Sequence, residues 1–278
     1  MADILTLAFR TFGSRTCQGK DSPAGPPPPA PRSVLTVGDR RVSRSLLLLS
    51  ALTAASEMGI RVAFFAQTQI KSLPVSLQRC VPSLSPESLK KITFTYPRTF
   101  EELLQHVAGL HESPTPPSLI IVDRLEDFLR GPAAGAHSGA YGGFQWGQQP
   151  SGAARLAALL CDTSAFLSCG GSGSAPCRLI ASFLSDADGG GGQDGGDSSA
   201  TDPTLDVLDR YFQARCTLDQ DRGYAATGAG AEEAWNIYLS ERGATEFFSE
   251  KEVKTHGTQE WQLFIFPDSS MEFKLAST

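Results

Sequence analysis

A chain of 278 residues with 41% hydrophobic and 19% charged residues has the balance of a folded protein and is long enough to bury one sizeable core. That excludes a wholly disordered chain, and the leucine run Leu46–Leu49 is far too short to cross a bilayer. The formal net charge of −6 divides unevenly, with 13 Lys/Arg against 5 Asp/Glu in residues 1–100 and 11 against 25 in residues 101–278. A basic front half suits contact with phosphate and an acidic back half repels it; the plainer reading is solvated faces that differ between the halves.

Residues 1–31 end in Pro26–Pro29 and Pro31 and read as a disordered, Pro-rich leader. Asp3 and the missing apolar core of a signal peptide argue against secretion, while Arg10, Ser14 and Arg15 leave a transit-peptide reading open. Ser33–Val37 is a short β-branched run closed by Gly38, a strand and turn. Ser43 to Met58 has a broad apolar face and reads as a helix with Ser43 as cap, followed by strand Arg61–Ala66. Strand, helix, strand in about 35 residues is a βαβ unit and implies a parallel sheet. Further strands are expected at Ile92–Tyr96, Ser118–Asp123 and Arg178–Leu184, and helices at Thr99–Leu110, Ala153–Leu167 and Thr204–Tyr211. Thr99 and Glu102 form a capping box. Flexible insertions are expected at 131–150 and 185–203, and the folded domain spans 32–278. Trp235–Leu239, Trp261–Phe266 and Met271–Leu275 read as strands, the last two joined as a C-terminal β-hairpin through Pro267–Ser270.

A phosphate loop needs a turn after a buried strand, glycines that let backbone N–H groups close on phosphate, a lysine, and a hydroxyl for magnesium. Laid over G-x-x-x-x-G-K-[ST], the stretch Gly38–Ser45 keeps the first glycine, places Ser43 at the second, Arg44 at the lysine and Ser45 at the hydroxyl. Arg44 keeps a cation, but its planar fork is bulkier than an ammonium. The residues allow two readings, an anion-binding corner or a strand-turn-helix corner with surface arginines. Asp123 closes an apolar strand about 80 residues later and fits the carboxylate that reaches the magnesium shell. The second strand runs into Gln67-Thr68-Gln69 with no acid to take a proton from water, which argues against fast hydrolysis.

For DNA contact the candidates are Arg40, Arg41, Lys90, Lys91 and Arg98 in the basic front half, although Lys90 and Lys91 also read simply as charges flanking a strand. From Arg178 to Arg210 the intervening residues hold no Lys or Arg, so that segment repels a nucleic-acid strand. Trp235, Trp261, Phe264 and Phe266 could stack bases, but period-two placement favours core packing. The six cysteines form no CxxC pair and lack nearby histidines, so reduced thiols and no structural zinc are expected.

The segments Lys91–Leu104, Ser118–Leu129, Ala157–Thr163 and Leu208–Phe212 resemble, in order, those of the SWIM-type zinc-finger-associated ATPase subunits of the vertebrate Shu complex, distant paralogues of the RecA/Rad51 recombinases. The resemblance covers roughly residues 33–240. It implies an α/β fold, a RecA-like P-loop NTPase core with a mainly parallel sheet flanked by helices. It implies an accessory role in homologous-recombination DNA repair, in the nucleus, pairing with a SWIM-domain zinc-finger protein and supporting a RecA/Rad51-type recombinase on single-stranded DNA. ATP and Mg2+ are the implied cofactors, with Gly38, Ser43, Arg44 and Ser45 as the nucleotide-binding positions and Ser45 and Asp123 at the metal. The sequence departs from the intact GxxxxGK[ST] loop of that family, so a degenerate nucleotide site is expected. The alternatives are an active ATPase stimulated by single-stranded DNA and a silent RecA-fold scaffold outside recombination. No membrane contact is expected.

Overall fold

Strand β1 (Ser33–Val37) is buried along its whole length, Ser33 and Thr36 included, as befits a strand with neighbours on both sides and helices on both faces. The computed structural model describes residues 4–13, 31–71, 73–80, 85–130, 148–169, 176–184, 202–221, 223, 231–241 and 259–276. After β1 come helix α2 (Arg40–Ser56), β2 (Val62–Ala66), the short helices α3 (Val75–Cys80) and α4 (Pro86–Leu89), β3 (Ile92–Thr95) and α5 (Phe100–Ala108). Then follow β4 (Leu119–Asp123), α6 (Leu125–Leu129), α7 (Gln148–Cys169), β5 (Arg178–Phe183), α8 (Pro203–Tyr211) and strands β6 (Ala214–Gln220), β7 (Glu233–Glu241), β8 (Gln259–Ile265) and β9 (Met271–Leu275). They form one nine-stranded sheet in the order β3-β2-β4-β5-β1-β6-β7-β8-β9. The first six are parallel and the last three antiparallel, so the βαβ expectation and the C-terminal hairpin both hold.

The period of two along the strands sorts side chains between two cores. Val62, Phe64, Leu119, Ile121 and Ile180 face α2, whereas Ala63, Phe65, Ile120, Val122, Leu179 and Ala181 face the opposite layer with α5, α7 and α8. The parity places the carboxyl of Asp123, two residues after Ile121, on the α2 side.

Helix α2 is capped four residues earlier than the apolar pattern suggests. Its cap is Asp39, whose carboxylate accepts the Arg41 and Val42 N–H groups at 2.8 and 3.0 Å, and not Ser43. The capping expectation for α5 holds, with Thr99 Oγ1 accepting from the Glu102 N–H at 3.1 Å. The Glu102 carboxylate takes the Arg98 N–H at 2.7 Å.

The leader reading needs correction. Residues Ile4–Thr11 form helix α1 (Ile4–Thr11), and Ile4, Leu5, Ala8 and Phe9 are all buried. Their spacing puts four apolar side chains on one helical face, and that face covers the antiparallel end of the sheet. The Phe9 ring stacks on Phe273 with centroids 4.9 Å apart and meets Trp261 edge-on at 5.5 Å. Gly13 then bridges to Phe273. Of the expected insertions, 131–147 and 185–201 lie outside the described residues, while 148–150 begin α7 and Asp202 caps α8. Trp235, Trp261 and Phe264 are buried in the sheet core.

The α1 contact carries a stability prediction. Phe9→Ala should lower the unfolding free energy by about 3–5 kcal/mol, the range for a fully buried phenylalanine. Urea denaturation should show a lower midpoint with an unchanged slope. A midpoint equal to that of the unmodified chain would mean that α1 is not part of the folded unit.

Candidate functional site

In a doubly wound sheet the ligand crevice lies beyond the carboxyl ends of the parallel strands, where successive βα turns open side by side. Here β1 ends at Val37 and pairs through Phe183 with β5, and β4 pairs with β5 on its other side. The Gly38 corner and Asp123 therefore share one rim, with only β5 between them.

The turn at that rim is short. Between Val37 and the first helical residue, Arg40, stand only Gly38 and Asp39. The pattern that would make Gly38–Ser45 a loop is instead one and a half turns of helix. Gly38 sits at φ +141°, and a Cβ there would lie 2.7 Å from the Leu218 Cβ and 2.8 Å from its carbonyl oxygen. Glycine is thus required by close contact with β6. Ser43 is buried in the helix, its hydroxyl without a hydrogen-bond partner among the described residues. The Ser45 hydroxyl donates to the Arg41 carbonyl at 2.9 Å.

Arg44 lies one turn beyond Arg40 on the face of α2 that overlooks the rim. Its Nε donates to Asp123 Oδ2 at 2.7 Å and its Nη2 to Thr68 Oγ1 at 3.2 Å. Asp123 is fully buried, and its other oxygen accepts from the Ser182 hydroxyl at 3.3 Å. Ser182 in turn accepts the Arg124 N–H at 2.8 Å. Arg124 occupies the left-handed region at φ +60°, uncommon for a side chain this large. From there its guanidinium reaches Thr68 at 2.6 Å and Asp127 at 3.0 Å and lies 3.8 Å from Asp123. Burial raises the Asp123 carboxyl above its ordinary range, and the Arg44 charge and hydrogen bond, Arg124 and Ser182 pull against that rise.

The sequence offers no acid after β2, where Gln67-Thr68-Gln69 follow. The structure supplies Glu126, 2% exposed on α6, which accepts the Leu184 N–H at 3.1 Å. Burial pushes its carboxyl up to about 7, outweighing the Leu184 N–H and Arg40, while Asp127 adds to the rise. Arg40 stands 3.9 Å away and is half exposed, too far and too wet to hold the charge.

Arg40, Arg41, Arg44 and Arg124 line a cavity of about 550 Å³ whose other walls include Leu48, Leu73, Pro74, Val75 and Met271. Each arginine already has an acidic neighbour: Glu126, Glu233, Asp123 and Asp127 in that order. Lys90 and Lys91 lie at the other end of the sheet, ahead of β3, where they line a second cavity of about 330 Å³ with Arg61. Lys90 pairs there with Glu87 at 2.9 Å. Arg98 follows the carboxyl end of β3, and its carbonyl accepts from Gln67 at 3.0 Å. The five cations proposed for DNA contact are thus split between opposite ends of the strands. Among the described residues, no group of three or more His, Cys, Asp or Glu side chains is placed to hold a metal. No described helix is long and apolar enough to cross a membrane.

This sheet order, with its rim of carboxyl-terminal strand ends, defines an α/β protein with a RecA-like fold. A KaiC-like protein, PH0186, from Pyrococcus horikoshii OT3 superposes with a TM-score of 0.51 at 9% identity, covering 88% of this chain and 89% of that one. The chain belongs to the family of the ATPase SWSAP1. It is 35% identical over 227 residues to the mouse protein of that name, covering 80% of this chain and 68% of the relative. With the human protein it shares 32% identity over 178 residues, 64% of this chain and 66% of the relative. No protein-family model matches the chain.

The donor set at this rim does not fit magnesium as it stands. The ion requires near-octahedral oxygen ligands at about 2.0–2.1 Å. The Asp123 oxygen facing α2 is held by Arg44, and the Ser45 hydroxyl is turned onto its own helix.

Two measurements follow from these contacts. Arg44→Ala should destabilise the fold by about 2–3 kcal/mol, below the usual loss for a broken buried pair because Arg124 stays within reach of Asp123. Chemical denaturation gives the value, and a change near zero would mean that the pair does not hold the rim. Glu126 provides the second. Its folded pKa of about 7 exceeds the ordinary 4.5, so the native state binds the extra proton. Stability should therefore fall as pH rises from about 4.5 to 7, by up to about 3 kcal/mol, and level off above that. Glu126→Gln should flatten that slope in melts across the same pH range; an unchanged slope would place the titrating group elsewhere.

Proposed function

We propose that the chain is an accessory subunit of homologous-recombination DNA repair. In this reading it works in the nucleus, pairs with a SWIM-domain zinc-finger protein and supports assembly of a RecA/Rad51-type recombinase on single-stranded DNA. Its nucleotide site is degenerate. The observation that carries the reading is the 35% identity with the mouse ATPase SWSAP1 over 227 residues, joined to a RecA-like fold. The two-residue turn and the Arg44–Asp123 pair support weak or absent hydrolysis, because the backbone donors that would hold phosphate are occupied by the Asp39 carboxylate. Co-expression with a SWIM-domain zinc-finger protein tests it: the two should co-purify near one to one, and failure to co-purify would remove the proposal.

The second reading is an ATPase stimulated by single-stranded DNA. It is favoured by the word ATPase in the names of both relatives and by Glu126, a buried carboxyl at the rim with a pKa of about 7. A general base works best when its pKa lies near the working pH. Under this reading the unmodified chain hydrolyses ATP, and Arg44→Ala and Glu126→Gln each abolish the stimulated rate. A phosphate-release assay that finds no turnover with single-stranded DNA present eliminates it.

A further inference from the structure

In a RecA-like site the strand carboxylate at the position of Asp123 faces a divalent cation. Three features of this rim bear on whether that can happen here. Asp123 is fully buried, and the two guanidinium groups beside it, those of Arg44 and Arg124, line the neighbouring cavity. Arg44 Nε already sits 2.7 Å from Oδ2, and the other oxygen faces the Ser182 hydroxyl. The four guanidinium groups around the cavity, from Arg40, Arg41, Arg44 and Arg124, present a dication with like charge along its path.

We propose that the Arg44 guanidinium is the resident cation of Asp123, standing where a divalent metal would, and that this rim does not coordinate magnesium. The inference deepens the reading of this rim as the counterpart of a RecA-like nucleotide site. It does not depend on the pairing with a zinc-finger partner. Arg44 meets the carboxylate with a single positive charge, where a divalent metal would bring two, and with a planar fork that also reaches Thr68. A metal could take its place only by supplying more free energy to the open arrangement than to the closed one. Removing the guanidinium leaves a buried carboxylate with one charged neighbour at 3.8 Å, Arg124, and takes from Oδ2 the hydrogen bond that Arg44 gives it. Such a carboxylate attracts a small cation.

Manganese(II), a paramagnetic stand-in for magnesium, reads this directly by electron paramagnetic resonance on the full chain. The unmodified chain and Asp123→Asn should give superimposable Mn2+ titrations. Arg44→Gln, which keeps most of the side-chain bulk, and Arg44→Ala should each bind Mn2+ about tenfold more tightly or better, the effect of uncovering one buried carboxylate. Adding Asp123→Asn to either variant should abolish the gain. The proposal is overturned if Asp123→Asn alone weakens Mn2+ binding by the unmodified chain. It is equally overturned if Arg44→Gln, folded by circular dichroism and melting cooperatively, binds Mn2+ no better than the unmodified chain. Because the titration is done without partner or nucleotide, either result leaves the co-purification test of the proposed function standing by itself.

Discussion

The ion pair between Arg44 and Asp123 organises the functional end of this molecule. A carboxylate with no exposed surface is tolerated in a protein interior only when charge and hydrogen bonds replace its water. Arg44, Ser182 and the nearby Arg124 do that here. The remaining contacts are arranged around it. Thr68 accepts from both arginines and ties the end of β2 to the pair. The left-handed turn at Arg124 aims its backbone N–H at Ser182 while its side chain swings back over Asp123 and Asp127. Three strands and one helix are thereby fixed relative to one another by a single buried charge.

The pair forms because helix α2 begins early. With two residues between β1 and α2, the helix N-terminus lies directly over the strand end, and Arg44 projects across the rim toward β4. A helix N-terminus is an anion site because its first N–H groups lack intrahelical partners. Asp39 fills that role internally, and its carboxylate takes the Arg41 and Val42 N–H groups. Gly38 makes the short connection possible, since any side chain at φ +141° would collide with Leu218 on the neighbouring strand. The corner has the topology of a phosphate loop and the hydrogen bonding of an ordinary capped helix.

The parts of the fold that could be read from sequence are those decided by local pattern. Strand β1 was expected and found at Ser33–Val37, and β4 and β5 differ from expectation only at their ends, because fully buried parallel strands need continuous apolar runs. The shared rim of Gly38 and Asp123 followed from the βαβ order. The start of α2 did not, because a motif laid over Gly38–Ser45 competes with the simpler rule that Asp before a helical run is a cap. Helix α1 was hidden by its proline-rich sequel, although Ile4, Leu5, Ala8 and Phe9 already carry the helical spacing. Ser182 and Arg124 stand 58 residues apart and meet only because β4 and β5 pair, which no local signal encodes. No local signal marks Glu126, whose burial is set by tertiary packing.

A rim that satisfies its own charges has a defined response to ligands. Any anion entering the cavity must compete with Glu233, Asp123 and Asp127 for guanidinium groups they already hold, and any cation must displace Arg44. A ligand that binds the closed and open arrangements equally shifts nothing, however tightly it binds. Glu126 is the exception, a buried carboxyl whose nearest cation is distant and half exposed. Its neutral form is favoured up to about pH 7, so the closed rim is most stable when that proton is present. Opening the Arg44–Asp123 pair would free a guanidinium within the same cavity as Arg40, the neighbour of Glu126. The pair and the buried acid are therefore two charges of one network, and a change in either is felt by the other through the arginines between them.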